Sequence, residues 1–254
     1  GATWTQAEVP TRATLTGVQM LDDGRGFAVG HDAVILRTVD GGRAWERVHA
    51  APGDEAPLLG VHFASPRHGF AVGAYGLVLE TLDGGDTWRR RALDADDPHL
   101  NHVTGSPSGT LFVAGESGRL YRSDDRGASW RRLSTPYSGS FFGTLALGDG
   151  RLYLYGLRGR LFRSDDDGVT WRRIETGTSS LIGAAAVSAA GDLVLAGTGG
   201  HVLLGRVGGD ALELFERPDR LGVAGAVMPG GDAVILFGEF GVERTRIDAL
   251  REPG

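Results

Sequence analysis

The carboxylates, histidines and arginines of this 254-residue chain are the side chains that could do chemistry. Asp165-Asp166-Asp167-Gly168 gathers acids ahead of a glycine, as a calcium loop does, but the EF-hand spacing and its distal Glu are absent. The seven histidines are scattered, and a metal site would require His62, His99 and His102 to meet near a common axis. Surface or channel-lining positions are the default for them, and no metal or cofactor is expected. No Gly-x-Ser-x-Gly elbow, His-Glu-x-x-His helix or Walker loop occurs. Gly197-Thr198-Gly199-Gly200 joins one strand-like segment to another, so it reads as a turn. All 26 basic residues are Arg, which excludes Schiff-base and P-loop lysine chemistry. There is no Cys, hence no thiolate, disulfide or Cys-ligated zinc or iron–sulfur site. The net charge of −6 argues against nucleic-acid binding. No apolar run has the length of a membrane helix.

The acids make sense as a series. Thr38-x-Asp40-x-Gly42-x-x-Trp45 returns as Thr81-x-Asp83-x-Gly85-x-Thr87-Trp88. It returns again as Ser123-x-Asp125-x-Gly127-x-Ser129-Trp130 and Ser164-x-Asp166-x-Gly168-x-Thr170-Trp171. With Trp4, the tryptophans lie 41 to 43 residues apart, a period that signals a repeat architecture. In such a box the Asp carboxylate accepts hydrogen bonds from following amides. The Gly supplies a positive φ, and the Trp starts the next strand with its ring under the turn. Asp40, Asp83, Asp125, Asp166, Trp45, Trp88, Trp130 and Trp171 are therefore structural.

Each period contains four strand-like segments, in the first Leu15–Leu21, Gly26–Gly30, Val34–Thr38 and Ala44–Val48, punctuated by Gly, Asp, Pro or Ser. Two further periods, from about residue 181 onward, keep the spacing without the box, and the sixth lacks a clear fourth strand. The segment Thr3 to Val9 is a fourth strand without a blade of its own. The expected fold is all-β: one domain, 1–254, forming a six-bladed β-propeller of four-stranded antiparallel blades, the last closed by the N-terminal strand. Seven blades is the alternative. The chain begins in mid-repeat, as though an upstream segment had been removed. The acidic connections from His49 to Pro57 and Ala92 to His99 are expected to be the mobile loops.

The boxes resemble the Asp-box, or bacterial neuraminidase repeat. Gly69-Phe70-Ala71-Val72-Gly73-x-x-Gly76, leading into Thr81-x-Asp83-Gly84-Gly85-x-Thr87-Trp88, resembles the photosystem II stability and assembly factor-like propellers. The resemblance covers residues 1–175 well and 176–254 by spacing only. It implies a non-catalytic, extracytoplasmic scaffold, periplasmic or otherwise exported, that docks onto a membrane-protein complex: a photosystem, or another inner-membrane complex such as a transporter. The alternatives are a sialidase-like or other glycoside hydrolase and a glycan-binding, lectin-like propeller. A sialidase is expected to carry an Arg-Ile-Pro motif near its start, and this chain has none.

Partner-binding candidates fall on loops that do not repeat: Tyr75, His99, Glu116, Tyr137, Arg158 and Phe240, with Tyr, Phe and Arg the types enriched at hot spots. A second set is a basic stripe on the outer strands: Arg90, Arg122, Arg132, Arg163 and Arg173. It is either a docking track for an acidic partner or edge protection against aggregation. The chain is expected to be monomeric and not itself membrane-spanning.

Overall fold

The computed structural model describes residues 3, 5–51 and 56–251. Trp4, and residues 52–55 of the first acidic connection, lie outside the described residues. The chain is a six-bladed β-propeller built of antiparallel sheets, with one short helix, α1 (Ile247–Arg251). Its contacts group into two compact units of three sheets each.

The unit spanning Thr5–Ser134 holds blades one to three. Blade one is β1 (Leu15–Met20), β2 (Gly26–Gly30), β3 (Ile35–Thr38) and β4 (Glu46–His49). Blade two is β5 (Leu58–Phe63), β6 (Gly69–Gly73), β7 (Val78–Thr81) and β8 (Arg89–Arg91), and blade three is β9 (Leu100–Gly105), β10 (Leu111–Gly115), β11 (Leu120–Ser123) and β12 (Arg131–Arg132). The unit built on Thr135–Gly254 holds blades four to six. Blade four is β13 (Phe141–Ala146), β14 (Leu152–Gly156), β15 (Leu161–Ser164) and β16 (Arg172–Ile174). Blade five is β17 (Ile182–Val187), β18 (Asp192–Gly197), β19 (His201–Arg206) and β20 (Leu212–Glu216), and blade six is β21 (Val223–Gly230), β22 (Ala233–Gly238) and β23 (Gly241–Arg246).

Strand order in every sheet follows the chain, so each blade is a meander of hairpins. The second strand of blades one to four is buried along its whole length, and in blade two neighbouring blades cover both faces. In blade two, Ala71 and Leu79 pack toward blade one, whereas Phe70, Val72 and Val78 pack toward blade three. This two-sided burial explains why these strands read as unbroken apolar runs rather than alternating ones.

Two details differ from the sequence expectation. The tryptophan does not start the fourth strand; β4, β8, β12 and β16 begin one residue after it. The box turn holds the backbone up to the residue before the Trp, which delays pairing. Blade six has three strands among the described residues. Of the segment read as its closing strand, Glu8 makes an isolated parallel bridge to Ala44, and Val9, with Ala13 beyond the segment, packs on Ala28, Val34 and Leu36 of blade one.

Candidate functional site

The Asp box is a closed hydrogen-bond circuit. In blade two, Thr81 Oγ1 donates to Asp83 Oδ1 (2.8 Å) and accepts from the Gly85 amide (2.8 Å). The Thr87 amide and hydroxyl donate to the two Asp83 oxygens at 2.9 and 2.5 Å. Blades three and four repeat this with Asp125 and Ser129, and with Asp166 and Thr170. Donors converging on the ionised form hold these carboxyls below the usual range, Asp125 and Asp166 down to about 2. Every carboxylate oxygen so engaged is committed to its own turn.

The boxes also join blades. Gly85 has φ +90°, and a Cβ there would overlap the Phe27 ring of blade one; Gly127 stands in the same relation to Phe70 of blade two. Phe27 and Phe70 meet the next blade's Trp88 and Trp130 edge to face, at centroid distances of 6.3 and 5.7 Å. The Gly-Phe-Ala-Val-Gly run and the box are thus two halves of one interface. Blade five, which has lost the box, uses a substitute: the Tyr153 hydroxyl of blade four accepts from the Gly208 amide at 2.8 Å.

One member of the basic stripe, Arg163, is cement between blades. Arg163 is 7% exposed, and it donates to Asp165 (3.1 Å), the Gly208 and Gly209 carbonyls and Asp210 (2.9 Å), bridging blades four and five. Arg37 makes the equivalent bridge from blade one to Asp86 of blade two. Arg122 pairs with Asp124 at 2.7 Å and Arg173 with Glu175 at 3.1 Å. Arg90 and Arg132 are exposed on β8 and β12. Sequence reading missed Asp86 and Asp210 as partners; a spacing of one period plus a few residues, 49 and 47 positions, is the signal that could have found them.

The loop candidates separate by unit. In the first, the structure brings Tyr75, His99 and Glu116 together. The Tyr75 and His99 rings lie 4.7 Å apart, and Glu116 Oε1 accepts from the His99 amide at 2.8 Å. Beneath them Arg119 bridges Asp94 and Asp96, and the Tyr121 hydroxyl donates to Asp94. Burial and that acceptor push the Tyr121 phenol well up. In the second unit, Tyr137 is half-buried against Phe141 and Phe162, with the Arg160 guanidinium 5.8 Å from its ring centroid. Arg158 is exposed at the apex of its turn. Phe240 lies under Arg217, whose guanidinium is 3.8 Å from the ring centroid and is held by Asp219 and Glu243. A cavity of about 330 Å³, lined by Leu193, Leu204, Leu212, Asp192 and Arg206, opens beside the box-less turn of blade five.

On the inner strands of the first unit, Gln19 offers Oε1 to the Phe63 amide (2.6 Å) and lies 3.4 Å from His62 Nδ1 through Nε2. Burial lowers His62 to about 4, and burial followed by the charge of His62 lowers His102 to about 4. His99, on the connection between β8 and β9, instead pairs with Tyr75 of the β6–β7 turn in ring contact and with Glu116 in hydrogen bonding. Among the described residues, no group of three or more His, Cys, Asp or Glu is placed to hold a metal ion.

Blades locked by Asp boxes, with aromatic and charged side chains on their loops, define a β-propeller of the Asp-box class. The sequence pattern of the photosynthesis system II assembly factor YCF48 family matches residues 1–57 and 52–218, and the chain belongs to that family. A structure of YCF48 bound to a D1 peptide is similar (TM-score 0.74, 21% identity, 96% of this chain and 84% of that one). So is YCF48 from Cyanidioschyzon merolae (TM-score 0.73, 18% identity, 99% and 90%). Virginiamycin B lyase from Staphylococcus aureus shares the fold at 13% identity (TM-score 0.74, 94% and 86%). At these identities the structural likeness shows the fold alone. No curated protein matches the chain.

Proposed function

We propose that this chain is a non-catalytic, extracytoplasmic assembly scaffold whose loops dock onto a membrane-protein complex, a photosystem or another inner-membrane complex such as a transporter. Membership of the assembly-factor family carries the reading. The D1 peptide bound to a YCF48 structure supports a subunit segment as the kind of partner recognised. The side-chain chemistry fits docking: box carboxylates are held in their turns, and Arg163 is committed between blades. No helix among the described residues is long and apolar enough to cross a membrane, so the chain would meet such a complex from outside the bilayer. Tagged chain incubated with detergent-solubilised membranes of its own organism, cross-linked and recovered, should carry an integral membrane subunit in near-stoichiometric amount. Repeated recovery of soluble proteins alone refutes the reading.

A further inference from the structure

In blades one to five the turn between the second and third strands puts two successive residues in the left-handed region. The first is Gly199 (φ 70°) in blade five, but Asp32, Tyr75 (φ 53°), Ser117 and Arg158 in blades one to four, and of these Tyr75 alone is aromatic. An L side chain there costs about 1–2 kcal/mol, and Tyr75 gains no core in return, being 58% exposed. Its ring is braced rather than buried. The His99 ring stands 4.7 Å away, tilted by 58°. His99 is in turn fixed by exchanging backbone and side-chain hydrogen bonds with Glu116. The Gly76 amide donates to the Pro98 carbonyl at 2.8 Å, and a Cβ on Gly76 would come within 2.8 Å of Asp97 Oδ1. The Asp97 carboxylate therefore sits beside the residue that follows Tyr75. Arg119, the nearby guanidinium, is taken by Asp94 and Asp96. An exposed π-face flanked by carboxylates is the complement of a cation.

We propose that Tyr75, braced by His99 and flanked by Asp97 and Glu116, is a docking point for an Arg- or Lys-bearing extended segment of the partner. This names the partner chemistry of one face within the scaffold reading and rests on that reading. A fluorescein-labelled nonapeptide alternating Gly and Arg is titrated by anisotropy against the whole chain, alongside the same peptide with citrulline replacing Arg. The Arg peptide binds, and the neutral peptide binds at least about fivefold more weakly. Tyr75→Gly weakens Arg-peptide binding about fivefold while its thermal midpoint stays level or rises, because Gly relaxes the turn. Tyr75→Asn, also tolerant of this backbone but without glycine's freedom, gives the same loss, because the ring and not the loop's stiffness carries the binding. Ser117→Gly, at the equivalent apex of blade three, leaves binding unchanged. Equal affinity for Arg and citrulline peptides, wild-type affinity in both Tyr75 variants, or no measurable binding overturns the proposal. Capture of a membrane subunit by wild type and Tyr75→Gly alike sinks this inference and leaves the scaffold standing. No capture by wild type sinks the scaffold reading, whatever the peptide does.

Discussion

Acid should unfold this protein in two separable stages, and the first belongs chiefly to two histidines, with a smaller part from His49, which burial also lowers. His62 and His102 titrate at about 4 in the folded chain because burial disfavours their charged forms, against about 6.5 when unfolded. The folded state binds fewer protons, so stability is full above pH 6.5 and drains as pH falls toward 4. At roughly 1.4 kcal/mol per pH unit, one such imidazole removes about 2.5 kcal/mol by pH 4.5. The pair removes less than twice that, since part of the His102 depression is repulsion from a charged His62. Protonation of His62 would also set its Nδ1–H against the Gln19 amide, donor against donor. The carboxyls of Asp125 and Asp166, lowered to about 2, lose their contribution only between about pH 4 and 2. Urea unfolding followed by tryptophan fluorescence, at steps from pH 7.5 to 3, should show a decline beginning near 6.5. In His62→Gln with His102→Gln that decline should flatten above pH 4.5 while the lower stage remains. An unchanged slope between pH 6.5 and 4.5 in the double variant refutes the assignment.

Three further outcomes follow from the blade interfaces. Phe70→Ala removes a ring that is 1% exposed and packs on Trp130; it should cost about 4 kcal/mol in chemical unfolding, and a cost below about 1 would mean the boxes do not depend on it. Gly85→Ala meets both a φ of +90° and the Phe27 ring, so it should destabilise more than Gly41→Ala, which has open space and a φ of +77°; equal midpoints would disprove the interlock. Arg163→Met takes the donor from Asp165 and from three acceptors of blade five, Gly208, Gly209 and Asp210, and should cost about 2 kcal/mol, measured by urea unfolding. Wild-type stability in that variant would return Arg163 to the docking stripe.

The sequence by itself determined the blade. A 41-to-43-residue period, box by box, fixed the strand count, the turn chemistry and the structural role of Asp83, Asp125 and Asp166, because these depend on hydrogen bonds spanning four residues. Strand starts were less legible: the box carboxylate holds amides up to the residue before the Trp, which no propensity rule records. What lies between blades was settled only in three dimensions. Arg163 reads as an exposed basic position until Asp210, 47 residues later, closes over it. Tyr75, His99 and Glu116 are three separate loop residues in the chain and one braced platform in the fold. Local turns are written in adjacent residues, so one repeat shows them. Burial and charge pairing arise where successive repeats meet, so only the packed blades decide which arginines are cement and which aromatic ring is left facing solvent.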